Sequence, residues 1–342
     1  MLGSGDGSQA YQRFTLRSTP LTYTGAATPS GLASTLEVRV NDVLWHEVPT
    51  LYGARPADRV YVTRRADDGA TTVQFGDGRT GARLPSGRDN VKATYRKGSG
   101  AAGLVQAGQL TLLLTRPLGV RDVNDPVAPT GGDDPESRDD ARANAPLTVR
   151  TLDRVVSLQD YEDFARAYSG IAKARATWTR AGLAHGIFLT VAGPDGAPVP
   201  ESSGVFTGLL AALRGAGDPY VPVQVATYRP AYFRVTAVLT VDPDYDPALV
   251  TAAVAAALAA AFGFAAREFG APVLLSQVLA VMQGVAGVVA VDLETLYRTG
   301  DSPALNPVLA ASGPQPGTTA GAAVAAELLT LDPSPPALTV QT

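Results

Sequence analysis

A chain of 342 residues is long enough for two or three domains, each able to bury its own core. With 45% hydrophobic and 18% charged residues it is not a disordered chain, and a formal net charge of -4 gives no reason to expect nucleic-acid binding. The absence of cysteine removes disulfide frameworks, thiolate zinc sites and cysteine nucleophiles together, and the two histidines, His46 and His185, are too few for most metal or acid–base centres.

Lysine stands only at positions 92, 97 and 173, so 25 of the 28 basic residues are arginine. The planar, weakly hydrated guanidinium suits protein–protein surfaces. A GC-rich genome would give the same bias. The opening "MLGSGDGSQAYQRF" has no basic-then-apolar signal-peptide pattern and reads as a flexible lead-in. The longest apolar run, "ALVTAAVAAALAAAFGF" at 248–264, is mostly alanine. It falls short of the roughly 20 strongly apolar residues of a membrane span, so it predicts a packed helix in a soluble protein.

Residues 1–118 read as an antiparallel β domain. "STLEVRVNDVLWHEV" alternates Leu36, Val38 and Val40, turns at Asn41-Asp42, and resumes from Val43. "RVYVTRRADDGATTVQFGDG" gives a second hairpin around Asp68-Gly69, "NVKATYRKG" a further strand, and "GQLTLLLTRP" another apolar strand ending at Pro117. Residues 119–146 are rich in Pro, Gly and Asp and read as an acidic linker. It holds one short helix, capped by Asp134 with Pro135 at its first position and Glu136 in its first turn.

The pattern then becomes mixed, giving an α+β multidomain class. In 147–229 a strand "LTVRTL", a helix over 158–169, strands over 171–179 and 186–192, a turn at "GPDG", a helix over 204–215 and "YVPVQVATY" follow one another. That βαββαβ order is the ferredoxin-like, split βαβ arrangement. In 230–298 an alternating strand (Phe233, Val235, Ala237, Leu239, Val241), a helix started by Asp246-Pro247, a helix over 276–285 and a strand over 287–297 form a second α+β unit. The tail, 299–342, is loop-rich, with one closing strand in either "AELLTL" or "ALTV". The two units share a helix–Gly–strand passage that lays Gly170 on Gly287, Tyr161 on Val278 and Phe164 on Val281.

"RTLDRVVSLQDYEDFARAYSGIAKARATW", 150–178, concentrates Asp160, Glu162, Asp163 and two tyrosines. Ser157 and Asp160 form a capping box; Leu158, Tyr161, Phe164, Ala165 and Tyr168 fall on one helical stripe, with the acids and Arg166 away from it. The acids therefore read as solvated first-turn charges rather than a catalytic pair. Asp242, Asp244 and Asp246 in "DPDYDP" have the start of a calcium-loop spacing, but Pro247 and Ala253 occupy positions needing Gly and a bidentate Glu. The glycine-rich "FGDGRTGARLP", 75–85, lacks a phosphate-loop Lys-Ser/Thr and reads as two successive turns. His46 and Glu47, adjacent on a strand, point to opposite faces. The reading is no catalytic residue, no metal site and no cofactor.

These pieces resemble the baseplate J-like family of contractile phage tails and related injection systems. The resemblance rests on "STLEVRVNDVLWHEVPTLYG", "TTVQFGDGRTGARLPSG", "NVKATYRKGSGAAGLVQAGQLTLL", "DPESRDDARANAPLTVRTLDRVVSLQDYEDFARAYSGIAKARATW", "VPVQVATYRPAYFRV" and "VLLSQVLAVMQGVAGVVAVDL", in order along nearly the whole chain. It implies a non-enzymatic wedge subunit that joins a six-fold baseplate ring around a central hub. Such a subunit would pair with itself and other wedge proteins, contact hub, spike or sheath-proximal proteins, and couple baseplate rearrangement to sheath contraction. It would be assembled in the bacterial cytoplasm and reside in a phage-tail-like particle, with no nucleic-acid partner and no membrane insertion. Family members are often longer at the N-terminus, so the abrupt start here suggests a short version or a missing region. Segment 119–146 would serve as a pivot, strand edges as joints, and the alanine helix as a close-contact face. The alternative is a carbohydrate- or ligand-binding module with a cleft between its β and α+β domains.

Overall fold

The computed structural model describes residues 1–26, 28, 30–98, 100–127, 134, 141–142, 144, 146–147, 154–181, 184–317 and 322–341. The chain divides into two compact units, Met1–Ala26 with Leu32–Arg138, and Ala27–Gly31 with Asp139–Thr342.

The first unit is built on strands β1 (Gly3–Gly5), β2 (Arg13–Thr15), β3 (Tyr23–Gly25), β4 (Leu32–Ser34), β5 (Glu37–Val40), β6 (Val43–Glu47), β7 (Val60–Arg65), β8 (Thr71–Phe75) and β9 (Gly87–Thr94). Seven of them form one sheet in the order β1-β9-β5-β6-β7-β8-β2, while β3 and β4 pair separately. The β5–β6 hairpin turns as its sequence dictates. Asn41 and Asp42 both adopt positive φ, 50° and 63°, the conformation whose twist matches that of the flanking strands. Alternation then carries Val38, Val40, Trp45, Tyr61, Val73, Phe75 and Val91 into one core. At its centre Trp45 meets Phe75 edge-on, with centroids 5.3 Å apart. The two edge strands of the sheet meet where Gly3 of β1 packs on the Phe14 ring of β2; a Cβ at position 3 would lie 2.3 Å from that ring, so only glycine fits.

"GQLTLLLTRP" is the exception. Residues 109–117 form no strand, and Leu110, Leu112, Leu114 and Leu118 are exposed. Alternation makes a segment competent for pairing but supplies no partner, and no strand of this unit lies alongside it. Asp134, expected to cap the linker helix, is described, whereas the first turn expected after it lies outside the described residues.

The second unit holds two sheets. In one, α1 (Leu158–Ala167) leads into β10 (Lys173–Ala181) and β11 (Ala184–Ala192), and α2 (Gly204–Ala216) into β12 (Val223–Thr227). The order is β10-β11-β12, antiparallel then parallel. A split βαβ sheet would place its first strand between β11 and β12, which here pair directly. The strand expected at 147–152 lies outside the described residues from 148 onward, and Leu147 has helical backbone. Val155 makes a single parallel bridge to Gly217.

In the other sheet β13 (Arg229–Val241) is the spine. The odd-numbered Ala231, Phe233, Val235, Ala237, Leu239 and Val241 all face the core. Two helices cover that face: α3 (Pro247–Phe262), capped by Asp246 accepting from the Ala248 amide at 2.8 Å, and α4 (Leu275–Gln283). A short strand β14 (Val273–Leu274) pairs with β16 (Val308–Leu309). β15 (Val288–Arg298) is antiparallel to β13 on one side. On the other, β17 (Glu327–Leu331) and β18 (Ala337–Gln341) lie end to end, each parallel to β13. Both tail segments are therefore strands. Phe233 and Phe262 lock helix to sheet edge-on at 5.4 Å, worth about 1 kcal/mol beyond their burial.

The tail also ties the two sheets together. The Gly317 amide donates to Thr179 Oγ1 at 2.9 Å and the Ala326 amide to Thr190 Oγ1 at 3.1 Å, satisfying two buried threonines. Glu327 accepts from the Ser312 amide and pairs with Arg298 and Arg229. Burial pushes its carboxyl up, but the Ser312 amide and the two guanidiniums pull it further down, so it ends below its usual range. Between β17 and β18, Asp332 accepts from Thr299 Oγ1 at 2.7 Å, the Ser334 amide at 2.9 Å and Arg234 Nε at 3.2 Å. The Thr299 and Ser334 hydrogen bonds, with Arg234, hold it well below the ordinary carboxylate value of 3.8. A depressed folded-state value stabilises the fold above the unfolded one, and the gain is lost as pH falls through the folded value. Asp332→Asn is accordingly expected to lower the urea midpoint at neutral pH and to flatten its fall between about pH 5 and about pH 2. An unchanged acid limb would assign that fall to other carboxylates.

Candidate functional site

The densest cluster of polar side chains with defined roles surrounds α1. Ser157 Oγ accepts from the Asp160 amide at 3.2 Å, and Asp160 Oδ2 accepts from the Ser157 and Val156 amides at 2.8 and 3.1 Å. This is the capping box the sequence predicts. The Ser157 and Val156 amides hold the Asp160 carboxyl below its usual range. Tyr161, Phe164, Ala165 and Tyr168 are buried along one stripe against β10 and β11. Gly170 then reverses the chain at φ 90° into β10.

The other two acids depart from the expectation of solvated charges. Glu162 Oε1 accepts the Ala176 amide of β10 at 3.0 Å and lies 3.7 Å from Arg175, leaving its side chain 14% exposed. Asp163 is buried, and Gln159 Nε2 donates to it at 2.9 Å. A helical wheel places both off the apolar stripe, but β10 runs beside Glu162 and takes its carboxylate. Glu162 thus caps an outward amide on the edge of the three-stranded sheet, which blocks strand addition there.

The remaining candidates stay apart. Asp242 Oδ1 accepts the Asp244 amide at 2.9 Å and Asp246 caps α3, so two of the three carboxylates of "DPDYDP" organise a strand-to-helix turn. In "FGDGRTGARLP" Asp77 accepts the Thr80 and Arg79 amides at 2.7 and 2.8 Å and a hydrogen bond from Tyr11, which together hold its carboxyl far below the usual range. Arg83 donates to the Asp77 carbonyl at 2.8 Å, and Tyr11, Arg79 and Arg83 line an open groove of about 520 Å³. His46 is exposed, while Glu47 accepts from Thr63 Oγ1 at 2.5 Å and from Ser34. A cavity of about 140 Å³ sits in the gap between β17 and β18, lined by Arg234, Tyr297 and Asp332. Among the described residues no three His, Asp or Glu side chains converge as metal ligands, and no helix is long and apolar enough to cross a membrane.

Missed entirely by the sequence reading is Arg267. It is buried without a carboxylate partner, donating from Nε to the Leu329 carbonyl at 3.1 Å and from Nη2 to the Ala271 and Pro272 carbonyls at 2.6 and 2.8 Å. "AAREFG" carries no signal for this. α3 is apolar all round except Thr251. Val250, Val254, Leu258 and Phe262 face the core, while Leu249, Ala252, Ala253, Ala256, Ala259 and Ala260 face outward. A helix without a polar face is normally covered on every side.

Comparison with known proteins places these features. Residues 153–226, which contain α1, β10, β11, α2 and most of β12, match the family model described as the Baseplate J-like central domain. A chain in the six-fold symmetrised cryo-EM structure of the anti-feeding prophage (AFP) baseplate aligns over 96% of this chain and 71% of its own, at 15% identity and a TM-score of 0.40. No curated protein matches in sequence. Over this central segment, 153–226, the chain is similar to the Baseplate J-like central domain.

Proposed function

We propose that this chain is a structural component of a contractile baseplate, acting as a wedge subunit. In that role it joins a six-fold ring around the hub, binds further wedge subunits, and passes baseplate rearrangement on to the sheath. The observation that carries the reading is the match of 153–226 to the Baseplate J-like central domain. Each carboxylate around α1 caps a backbone amide or is enclosed, which leaves none poised for acid–base work. The uncovered apolar face of α3 supports the same reading, because a subunit built into an assembly needs surfaces that only neighbours cover.

The experiment is deletion of the gene in a strain that makes the particle, followed by electron microscopy of purified lysates. Sheathed particles are expected to vanish and to return on complementation. Normal particles with intact baseplates in the deletion strain would sink the proposal.

A further inference from the structure

We propose that residues 109–116 are a donated strand that adds to the open edge of β15 in a second copy of this chain. The inference deepens the baseplate reading by naming the segment through which one copy holds another.

The donor is unusual for a segment with ordinary side chains. Leu110 and Leu112 are 52% and 70% exposed, and Leu114 and Leu118 essentially fully. Leucines at every second position, 110, 112 and 114, are the pattern of a strand with one covered face, which the bend at Leu114-Thr115 must straighten to adopt. Among the described residues the amides of 111–116 find no hydrogen-bond partner, whereas Gly108 and Leu110 just before them are tied to Asp125. Every second amide of this run, beside three exposed leucines, forms the complement of a sheet edge.

Several strands end their sheets, β12 and β18 among them, and β15 is the longest of these. β1 and β2 are three residues each and lie against one another through Gly3 and Phe14. β10 has its outward Ala176 amide capped by Glu162. β15 is the end strand of its sheet, and only its last part is covered, where Leu296 bonds to Ala304 and Asn306. The Val288 amide donates to the Val285 carbonyl, and among the described residues 289–294 are open on that side apart from the Val289 carbonyl, which accepts from Gln283 Nε2. Their length matches the donor. The flanking chemistry matches too, with Val289 56% exposed, Asp292 and Glu294 pointing to solvent, and Arg116 ending the donor. Acidic side chains on the edge and a cation at the end of the strand favour this pairing over like-charged alternatives. Two copies related by a two-fold axis would make the same exchange twice.

The lack of cysteine makes the test clean. Affinity-tagged chain carrying Leu112→Cys is mixed with untagged chain carrying Ala290→Cys or Asp292→Cys and gently oxidised. A disulfide dimer of one tagged and one untagged chain is expected at least roughly tenfold faster than with an untagged Thr207→Cys control on the exposed side of α2. In parallel, Leu112→Asp with Leu114→Asp is expected to reduce the sedimenting mass from two chains to one. The thermal midpoint should not move, because those side chains support nothing in their own chain. No preference over the control, or an unchanged mass for the double variant, overturns the proposal. If the strand exchange fails while gene deletion still abolishes particles, the baseplate reading stands without it. If dimers form as described while particles assemble without the gene, only that reading falls.

Discussion

Arg267→Ala is expected to cost on the order of 3 kcal/mol, read as a fall in the urea midpoint at constant slope. The guanidinium is buried, and burial draws its pKa down without any nearby anion to oppose the effect. Its stabilisation comes from the Leu329, Ala271 and Pro272 carbonyls, each within 3.1 Å. Removing the side chain leaves three acceptors facing a space that held a planar cation, and buried acceptors without donors cost about 1–3 kcal/mol each unless water enters. The Phe262 ring also loses a cation 5.9 Å from its centroid. Arg267→Lys is expected to recover little, since a single ammonium cannot span carbonyls that a rigid fork reaches together. A loss below about 1 kcal/mol for the alanine variant would mean that water replaces the fork at no net cost.

The second large effect is expected at Gly287. Its φ of 90° lies where side chains are disfavoured, and a Cβ there would lie 2.7 Å from the Tyr245 ring and 2.9 Å from Val250. Backbone strain of about 1–2 kcal/mol and overlap of similar size together make Gly287→Ala a loss of roughly 3 kcal/mol. Adding Tyr245→Ala should return the overlap part and leave the strain, which separates the two causes in one double-mutant cycle. At Gly170, the matching position, φ is also 90°, but the nearest side-chain atoms belong to Val205 at 3.0 Å. Gly170→Ala should therefore cost less than Gly287→Ala. Equal losses would show that strain alone decides.

That pair of glycines shows what a sequence can disclose. Overlaying Gly170 on Gly287 is only a pattern of residues, yet both lie just after a helix and open an edge strand with the same backbone angle. Tyr161 and Val278, aligned with them, are both buried. Hairpins were equally legible, because Asn41-Asp42 and Asp68-Gly69 encode their turns locally and alternation fixes which side chains point inward. The capping box at Ser157 is local in the same sense.

What escaped the sequence was set at a distance. Glu162 looks like a surface acid on a helical wheel, and only the strand running beside α1 takes its carboxylate; Asp163 is buried as well. Arg267 finds its partners in a loop and in β17, 62 residues onward. The choice between "AELLTL" and "ALTV" had no local answer, since parallel pairing with β13 leaves no turn signal; both pair. Residues 109–116 failed in the opposite direction. Their alternation reports the ability to pair, and sequence has no way to say whether the partner lies in the same chain.

The last two strands carry a consequence for synthesis. β13 is fully paired on its second side only by β17 and β18, and Arg234 meets Asp332 across 98 residues of chain. On the ribosome the first unit and the α1 region can fold while that core still lacks Leu328, Leu329 and the Glu327 ion pairs. At about 5–20 residues per second, this delay lasts on the order of 5–20 s. During it β13 presents a raw edge beside an uncovered apolar helix. A nascent chain is therefore least protected against wrong partners until β17 and β18 have emerged, and loss of β18 should be felt as misassociation rather than as a smaller folded protein.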